Sequence, residues 1–175
     1  MEMAQKKLKT SMKKYLWLML LVIICFFKSI PAFAESSYVL PYPSFMPGSI
    51  FYKLNLVKEE VLKYWYFGNF GQFYYNLKQS DKYLVEAKTL FDYKQYLLAY
   101  KALRKSDRYF EKIGKNILEK KTRLKEAAQK HIEELTKLKS NVPSTFNWIP
   151  ERNSPTILKL WESIDMSIRL REKKL

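Results

Sequence analysis

The chain has 175 residues, of which 47% are hydrophobic and 16% aromatic, and its formal net charge at pH 7 is +15. This length and hydrophobicity exclude a disordered chain and favour a single domain with a substantial core. The four glycines and the lack of short alternating apolar runs argue against an all-β fold. Long stretches of Lys, Glu, Leu, Ala and Tyr instead predict an all-α protein.

The basic charge has two interpretations, which the sequence leaves open. Six Lys and one Glu precede Glu35, which leaves a net charge of +10 for the remainder of the chain. A surplus of this size attracts anionic partners such as phospholipid, envelope polymer or nucleic acid. The alternative is a proteome rich in Lys, Ile, Asn and Tyr through its base composition, in which case the charge has no function.

The N-terminal segment contains the three parts of a secretory signal peptide in their expected order. Five lysines precede an unbroken apolar run of 13 residues, 15–27, and the sequence Ala32-Phe33-Ala34 follows. This order predicts export through the secretory route, with cleavage between Ala34 and Glu35. The run is shorter than the roughly 20 residues of a membrane span, so an uncleaved N-terminal anchor is the alternative to cleavage.

Residues 35–49 are predicted to form a proline-rich extended strap. Pro41, Pro43 and Pro47 fix φ and push the residues before them into extended conformations, which excludes helix and central strand. We expect the apolar side chains of the strap, including the rings of Tyr42 and Phe45, to enter grooves of the helical bundle. The first helix then begins near residue 50, with Ser49 as its N-cap.

The stretch LPYPSFMPGSIFYKL at residues 40–54 resembles the Leu-Pro-Gly-x-x-Leu-Tyr-x-x-Lys opening of a bacterial extracytoplasmic domain-of-unknown-function family. The similarity continues through YWYFGN and SDKYLVEAKTLFDYKQYL, in a form typical of a branch from small-genome candidate-phyla bacteria. It covers about residues 38–110. The resemblance implies an exported helical domain and supplies no activity.

Apolar spacing predicts a helical hairpin within a bundle of about four helices, three of them at residues 50–139 and the last after a loop at residues 140–175. The first helix has Ile50, Leu54, Val57 and Val61 on one face. The second begins at Asn69, which forms a capping box with Gln72, and Asp92 with Gln95 repeats this cap before the third helix. A long central helix follows from residue 93 to residue 139, about 70 Å in length. Its seam repeats every seventh residue: Leu103, Phe110, Ile117, Leu124, His131 and Leu138.

The last helix is predicted to begin at Ser154-Pro155, because this pair is an N-cap followed by proline at the first helical position. It should pack back on the distal half of the long helix, and its basic end, which includes Arg171, should fray. The bundle would then have two parts, so that truncation of Leu124 disturbs the second part and leaves the first protected.

Two sets of side chains are candidate sites. Asp81 and Asp107 occupy matching positions of an internal echo, LKQSDKYL and LRKSDRYF, and we interpret them as structural ion-pair acids beside Lys82 and Arg108. Glu59 and Glu60 are assigned to a solvated face. The aromatic residues that form a candidate patch, either for interaction or for packing, are Tyr42, Phe45, Tyr64, Trp65 and Tyr66, and packing is the favoured role.

The sequence lacks the motifs of the common enzyme classes and of metal sites. His131 is the single histidine, the chain beyond the signal segment has no cysteine, and GxGxxG, P-loop and HExxH motifs are missing. We therefore expect no cofactor and no metal, and we interpret His131 as a packing residue with one edge in water.

These observations favour an exported non-enzymatic protein whose partner is another envelope protein or the anionic membrane surface. Binding of nucleic acid or another anionic polymer is the first alternative, and it requires Lys and Arg side chains clustered on one concave face. A wall hydrolase that uses two carboxylates is the second alternative. It requires two acids in a cleft, one of them with a raised pKa.

Overall fold

A computed structural model describes residues 38–114, 120–150 and 154–175. The chain divides into two compact units, Met1–Glu35 and Ser36–Leu175. The first unit lies outside the described residues, and so do the predicted signal peptide and its cleavage site at Ala34 and Glu35. The described fold is therefore that of the second unit.

The described residues are mostly helical, which confirms the predicted all-α class. In chain order the elements are α1 (Ile50–Trp65), α2 (Gly68–Asp92), α3 (Tyr96–Glu111), α4 (Lys121–Asn141), β1 (Thr145–Trp148), β2 (Thr156–Lys159) and α5 (Leu160–Glu172).

The strap at residues 38–46 has no regular secondary structure and ends in a turn at Gly48, whose φ is +105°. The predicted cap of α1 is confirmed, because the Ser49 hydroxyl accepts a hydrogen bond from the Phe51 amide at 3.3 Å. Leu40 packs against the core, but Tyr42 is 96% exposed. The expectation that Tyr42 enters a groove was therefore wrong, because at this part of the strap Leu40 faces the core and Tyr42 faces solvent.

Phe45 also stays outside the core, against the expectation for the strap. It is half exposed, and its ring stacks on that of Phe51 in α1 with centroids 5.3 Å apart. The strap thus contacts the bundle through Tyr38, Leu40 and Met46, which pack against the two core clusters.

Helices α2 and α3 form an antiparallel hairpin, and the internal echo lies along their contact. Ser80 and Ser106, which are 26 residues apart and fully buried, hydrogen-bond through their hydroxyls at 3.2 Å. Small side chains at these positions let the two backbones approach, so the hydroxyl of Ser106 also reaches the Ser80 carbonyl at 2.8 Å.

The turn between the helices contains Lys94 with φ +59°. Asp92 is the last residue of α2 rather than the predicted cap of α3.

The prediction of one long central helix was wrong. α3 ends at Glu111, and α4 begins at Lys121 and packs back onto α2. Gly114 near the break is the local signal that the seven-residue repeat concealed, since glycine commonly terminates helices. The repeat nevertheless located the core, because five of its six residues are buried and the sixth, Ile117, lies outside the described residues.

The predicted two-part bundle was also wrong, because Leu124 of α4 packs in one cluster with α2 and α3 side chains. This cluster consists of Phe73, Leu77, Phe110, Ile113, Leu124, Ala127 and Ala128. A second cluster joins the other ends of α2, α3 and α4 to α5. Both clusters of the described chain are built without a side chain of α1.

A short β-hairpin precedes the last helix where a loop and a helix start were expected. β1 pairs with β2 in antiparallel register, with Phe146 opposite Leu158. Ser154-Pro155 therefore precedes a strand, and α5 begins only at Leu160, whose amide donates to the Ser144 carbonyl at 2.9 Å. As expected, α5 packs against α4, but it also contacts α3.

Candidate functional site

Helix α1 is attached to the bundle through its polar side. Glu59, assigned by its sequence to a solvated face, is only 8% exposed. Its carboxylate accepts hydrogen bonds from the Lys82 ammonium and, at 2.9 Å, from the Tyr83 hydroxyl, both on α2. The Tyr75 hydroxyl donates to the Glu59 carbonyl at 3.1 Å. One acidic residue thus anchors the middle of α1.

A second polar contact lies two turns earlier on α1. The Tyr52 hydroxyl donates to Oε1 of Glu86 at 3.0 Å, while Oε2 of Glu86 is buried without a partner among the described residues. Burial raises the pKa of the Glu86 carboxyl, and burial together with Glu86 raises the pKa of Tyr52. Both contacts therefore occur in a site largely screened from water.

The end of α1 is fixed by the turn into α2. Gly68 has φ +74°, and a Cβ at Gly71 would lie 2.9 Å from the backbone of Tyr66, so both positions need glycine. The side-chain amide of Gln72 donates a hydrogen bond to the backbone carbonyl of Tyr66 at 2.5 Å. The predicted capping box at Asn69 and Gln72 was wrong, because Gln72 instead closes the end of α1.

The opposite side of α1 presents an apolar surface to solvent, which we call the outward stripe. Its members are Ile50, Leu54, Val57, Val61, Tyr64 and Trp65, each at least 62% exposed. At 100° per residue they share one face, with Lys53 and Lys58 on its two borders. Soluble proteins rarely expose a continuous apolar surface without a binding role.

The outward stripe corrects the favoured role of the predicted aromatic patch. Packing was expected for Tyr64 and Trp65, yet Trp65 is 76% exposed. Tyr66 alone turns inward, with its ring centroid 5.8 Å from that of Tyr75. The exposed aromatic surface continues across the turn to Phe67 and Phe70.

The structure brings Asp81 and Asp107 into one buried polar network, although not with their predicted partners. Asp81 accepts from His131 Nε2 at 2.7 Å, and Asp107 accepts from Arg171 Nη1 at 2.6 Å. Arg171 Nε donates to His131 Nδ1 at 3.1 Å, which links the two acids. Lys82, the expected partner of Asp81, pairs with Glu59 instead.

The hydrogen bonds of this network define the protonation of His131. Because Nδ1 accepts from Arg171, the ring proton is on Nε2 and is donated to Asp81. His131 is fully buried, and burial lowers its pKa, with the charge of Arg171 acting in the same direction. A neutral His131 with no edge in water, rather than the expected wet edge, therefore joins α4 to α2 and α5.

Arg171 was expected to lie in a frayed end and is instead 0% exposed. Besides Asp107 and His131, its guanidinium donates to the Ser167 carbonyl and to the Ser106 hydroxyl, each at 2.9 Å. A buried charge with this many acceptors holds helices together and offers no accessible group to a substrate. The network is thus an internal structural element.

A carboxylate hydrolase needs two acids in an accessible cleft, and the described residues offer no such pair. The acid with a raised pKa is Glu86, which lies beneath α1 and is only 3% exposed. The described cavity of the fold has Asp81 in its wall, and this carboxylate is occupied by His131 and Tyr38. Within the described ranges, no group of three or more metal-ligating side chains is placed to hold an ion.

A comparison with family models matches residues 44–145 to a domain of unknown function. The chain belongs to the DUF5667 family. The match extends beyond residue 110, the limit of the resemblance seen in the sequence. Searches of curated proteins and of solved structures each found no match.

The DUF5667 segment contains α1 to α4 and so includes the outward stripe, Glu59, Asp81 and Asp107. Arg171, which completes the network, is supplied by α5 beyond the matched residues. In the part of the chain that the structure describes, no helix is both long and apolar enough to cross a membrane.

Sequence reasoning missed the anchor Glu59 and the buried Arg171. Their partners are distant in sequence, since Tyr83 is 24 residues from Glu59 and Asp107 is 64 residues from Arg171. One signal was available for Arg171, because it continues the inward spacing of Leu160, Ile164 and Ile168 along α5.

Proposed function

We propose that the protein is an exported, non-enzymatic helical module that attaches to an anionic membrane surface through the outward stripe of α1. One observation carries the proposal: α1 is anchored by Glu59 on its polar side, so its apolar side faces solvent. Export is the expectation from the signal-like N-terminal segment, and a bacterial envelope setting is the expectation from the family resemblance.

The composition of the stripe supports a lipid surface as the partner. Helices that lie in the plane of a membrane surface combine an apolar face with basic borders and with Trp or Tyr at headgroup level. In α1 one border holds Lys53 together with Glu60, the other holds Lys58, and Trp65 lies at the C-terminal end of the stripe. Lysines next to an apolar face match an anionic bilayer in charge.

The expected free energies are sufficient for reversible attachment. Burying one aliphatic side chain fully contributes about 1.5–3 kcal/mol, and each lysine near an anionic bilayer contributes about 1 kcal/mol. Partial insertion of four aliphatic residues with two lysines would therefore contribute several kcal/mol, which is the range of weak and reversible membrane contacts. The contact needs no unfolding, because the stripe takes no part in the core.

A second copy of the chain and an envelope protein are the alternative occupants of the stripe. Self-association is disfavoured by the net charge of +10 that remains from Glu35 onward, because two such molecules repel each other. An apolar protein groove would suit the aliphatic residues but gives no role to the lysines on both borders.

The test is co-sedimentation of residues 36–175, a compact unit by itself, with vesicles of phosphatidylcholine alone or mixed with phosphatidylglycerol. We expect binding to the mixed vesicles, weakened by salt. The double variant Val57→Gln/Val61→Gln should bind about tenfold more weakly or worse, since two apolar contacts are lost. Circular dichroism and cooperative melting establish that each protein is folded.

The matched control is Ile149→Gln/Ile157→Gln, which changes two equally exposed aliphatic residues away from α1. It should bind like the unaltered protein. Equal loss in both double variants, or no preference for the anionic vesicles, contradicts the proposal. Light scattering that shows a dimer dispersed by Val57→Gln/Val61→Gln would assign the stripe to a second copy.

A further inference from the structure

A cavity of about 420 Å³ lies between the strap, α2 and α4. Its wall includes residues from the strap, the end of α1, α2 and α4. Those that matter for binding are Tyr38, Tyr66, Tyr74, Leu77, Lys78, Asp81 and Arg123. Its volume is in the range of small-ligand sites, and its wall combines rings with a few charged groups, as such sites commonly do.

Within the described residues, the basic side chains of this wall form no ion pair with an acid. Lys78 and Arg123 make no ion pair with any described carboxylate. A third cation, Lys120, lies next to the cavity. Its ammonium donates a hydrogen bond to the Tyr74 hydroxyl, and its Nζ lies 3.6 Å from the centre of the Tyr74 ring. This hydrogen bond lowers the pKa of Tyr74. The cavity therefore has an excess of positive charge.

The single acid among the described lining residues, Asp81, reduces this charge but leaves it positive, because two cations line the wall and Lys120 lies beside them. Asp81 is only 6% exposed and accepts hydrogen bonds from the Tyr38 hydroxyl at 2.5 Å and from His131 at 2.7 Å. Burial and the Asp81 charge raise the pKa of Tyr38, so Tyr38 keeps its proton and remains a donor. The carboxylate is thus covered by its own partners.

Arg123 is held in place by two rings of the wall. Its guanidinium carbon lies 5.9 Å from the ring centre of Tyr38 and 5.8 Å from that of Tyr74. A guanidinium beside two rings has five N–H donors, and those that it does not use there suit the oxygens of a phosphate. Lys78 adds a mobile point charge on α2, as lysines do in phosphate sites.

We propose that this cavity binds a small organic phosphate ester, with the phosphate on Lys78 and Arg123 and the organic part against Tyr66, Tyr74 and Leu77. Two cations suit a phosphate, which bears up to two charges, better than a carboxylate. The pair is too small a basic set to follow a nucleic-acid backbone. The site is separate from the outward stripe and does not depend on the membrane proposal.

Calorimetric titration of residues 36–175 with glycerol 3-phosphate, and with glycerol as the uncharged probe, tests the site. We expect binding of the phosphate ester and none of glycerol. Lys78→Gln/Arg123→Gln should weaken this binding about tenfold or more, because two charge-assisted contacts are lost. Both side chains are exposed, so the fold should persist and melting should confirm it.

The matched control is Lys101→Gln/Arg104→Gln, which removes one exposed Lys and one exposed Arg from α3, outside the cavity. It should bind like the unaltered protein. Equal weakening in both double variants would mean attraction by net charge alone and would overturn the proposal. A complete lack of phosphate binding in the unaltered protein would overturn it as well.

A lipid headgroup and a soluble ester share this chemistry, and a second arm separates them. If glycerol 3-phosphate displaces the protein from phosphatidic acid vesicles, and Lys78→Gln/Arg123→Gln weakens vesicle binding, the ligand is a headgroup. If glycerol 3-phosphate binds and leaves vesicle attachment unchanged, the ligand is soluble. Val57→Gln/Val61→Gln should bind glycerol 3-phosphate normally, so failure of the stripe and failure of the cavity give different results.

Discussion

The first and last helices of the described chain are both amphipathic and use this pattern in opposite ways. α5 places Ile164 in the core at 0% exposure, whereas α1 leaves Ile50 70% exposed and buries Glu59 instead. Both helices also hold one buried charge, Arg171 in α5 and Glu59 in α1. The difference teaches that an apolar period identifies the residues of one face, while only the neighbouring elements decide whether that face is covered.

The largest expected effect concerns the buried charge of α5. Arg171→Ala should lower the free energy of unfolding by about 3–5 kcal/mol, because Asp107 loses a buried cationic partner. Urea denaturation measures the change. Arg169→Ala, at an exposed position of the same helix, should cost less than about 0.5 kcal/mol. Equal costs would show that the network does not hold α5.

A matched pair of Ile→Ala substitutions tests the opposite orientation of the two helices directly. Ile164→Ala should lower the unfolding free energy by about 2–5 kcal/mol, as truncations of buried aliphatic residues do. Ile50→Ala should change it by less than about 0.5 kcal/mol. Thermal or urea unfolding of both variants measures the two changes in unfolding free energy. A large loss of stability in Ile50→Ala would mean that the stripe is covered in solution.

The anchor of α1 should act locally. Glu59→Ala removes the acceptor of Lys82 and Tyr83, so amide hydrogen exchange in α1 should speed up about tenfold, in line with 1–3 kcal/mol for an opened buried contact. Exchange in α2 and α5 should stay unchanged. Glu60→Ala, at the neighbouring exposed position, is the control. Uniform acceleration across all helices would contradict a separate attachment of α1.

The smallest effect is a loss of stability at acidic pH that comes from His131, the α4 member of the network that holds α5. The pKa of His131 is lowered in the fold, so the unfolded chain binds more protons, and stability falls as the pH drops below about 6.5. The slope cannot exceed about 1.4 kcal/mol per pH unit. His131→Gln, which keeps a donor and an acceptor, should flatten it.

The slope of stability against pH is compared between the unaltered protein and His131→Gln. His131 is the single histidine, and the raised pKa of Glu86 contributes a slope of opposite sign that is the same in both proteins, so their difference reports His131 alone. Unfolding is measured from pH 7.5 to pH 5.5. An unchanged slope in His131→Gln would assign the pH dependence to other groups.

The sequence predicted the helical class and the buried face of α3 and α4, because apolar periodicity depends on local spacing alone. It did not predict the break near Gly114, since the seven-residue repeat continues through it. It also missed the β-hairpin, whose strands have four residues each and carry too short a pattern. Boundaries of this kind depend on packing against elements that are distant in the chain.

The candidate sites were predictable in part. Asp81 and Asp107 were singled out by the internal repeat, and the fold joins both to one buried network, but their partners on α4 and α5 leave no local sign in the sequence. The orientation of α1 and the cavity beside Arg123 were not predictable. Both depend on contacts between segments that are far apart in sequence, and neither composition nor local spacing predicts such contacts.

The separations along the chain within the network have a consequence for the order of folding. The contact of Ser80 with Ser106 closes 26 residues, whereas the contact of Arg171 with Ser106 closes 65. Longer closures cost more entropy and tend to form later. Helices α2 and α3 should therefore pair early, and α5 should dock after the transition state. Arg171→Ala should then accelerate unfolding in stopped-flow experiments and leave the refolding rate nearly unchanged.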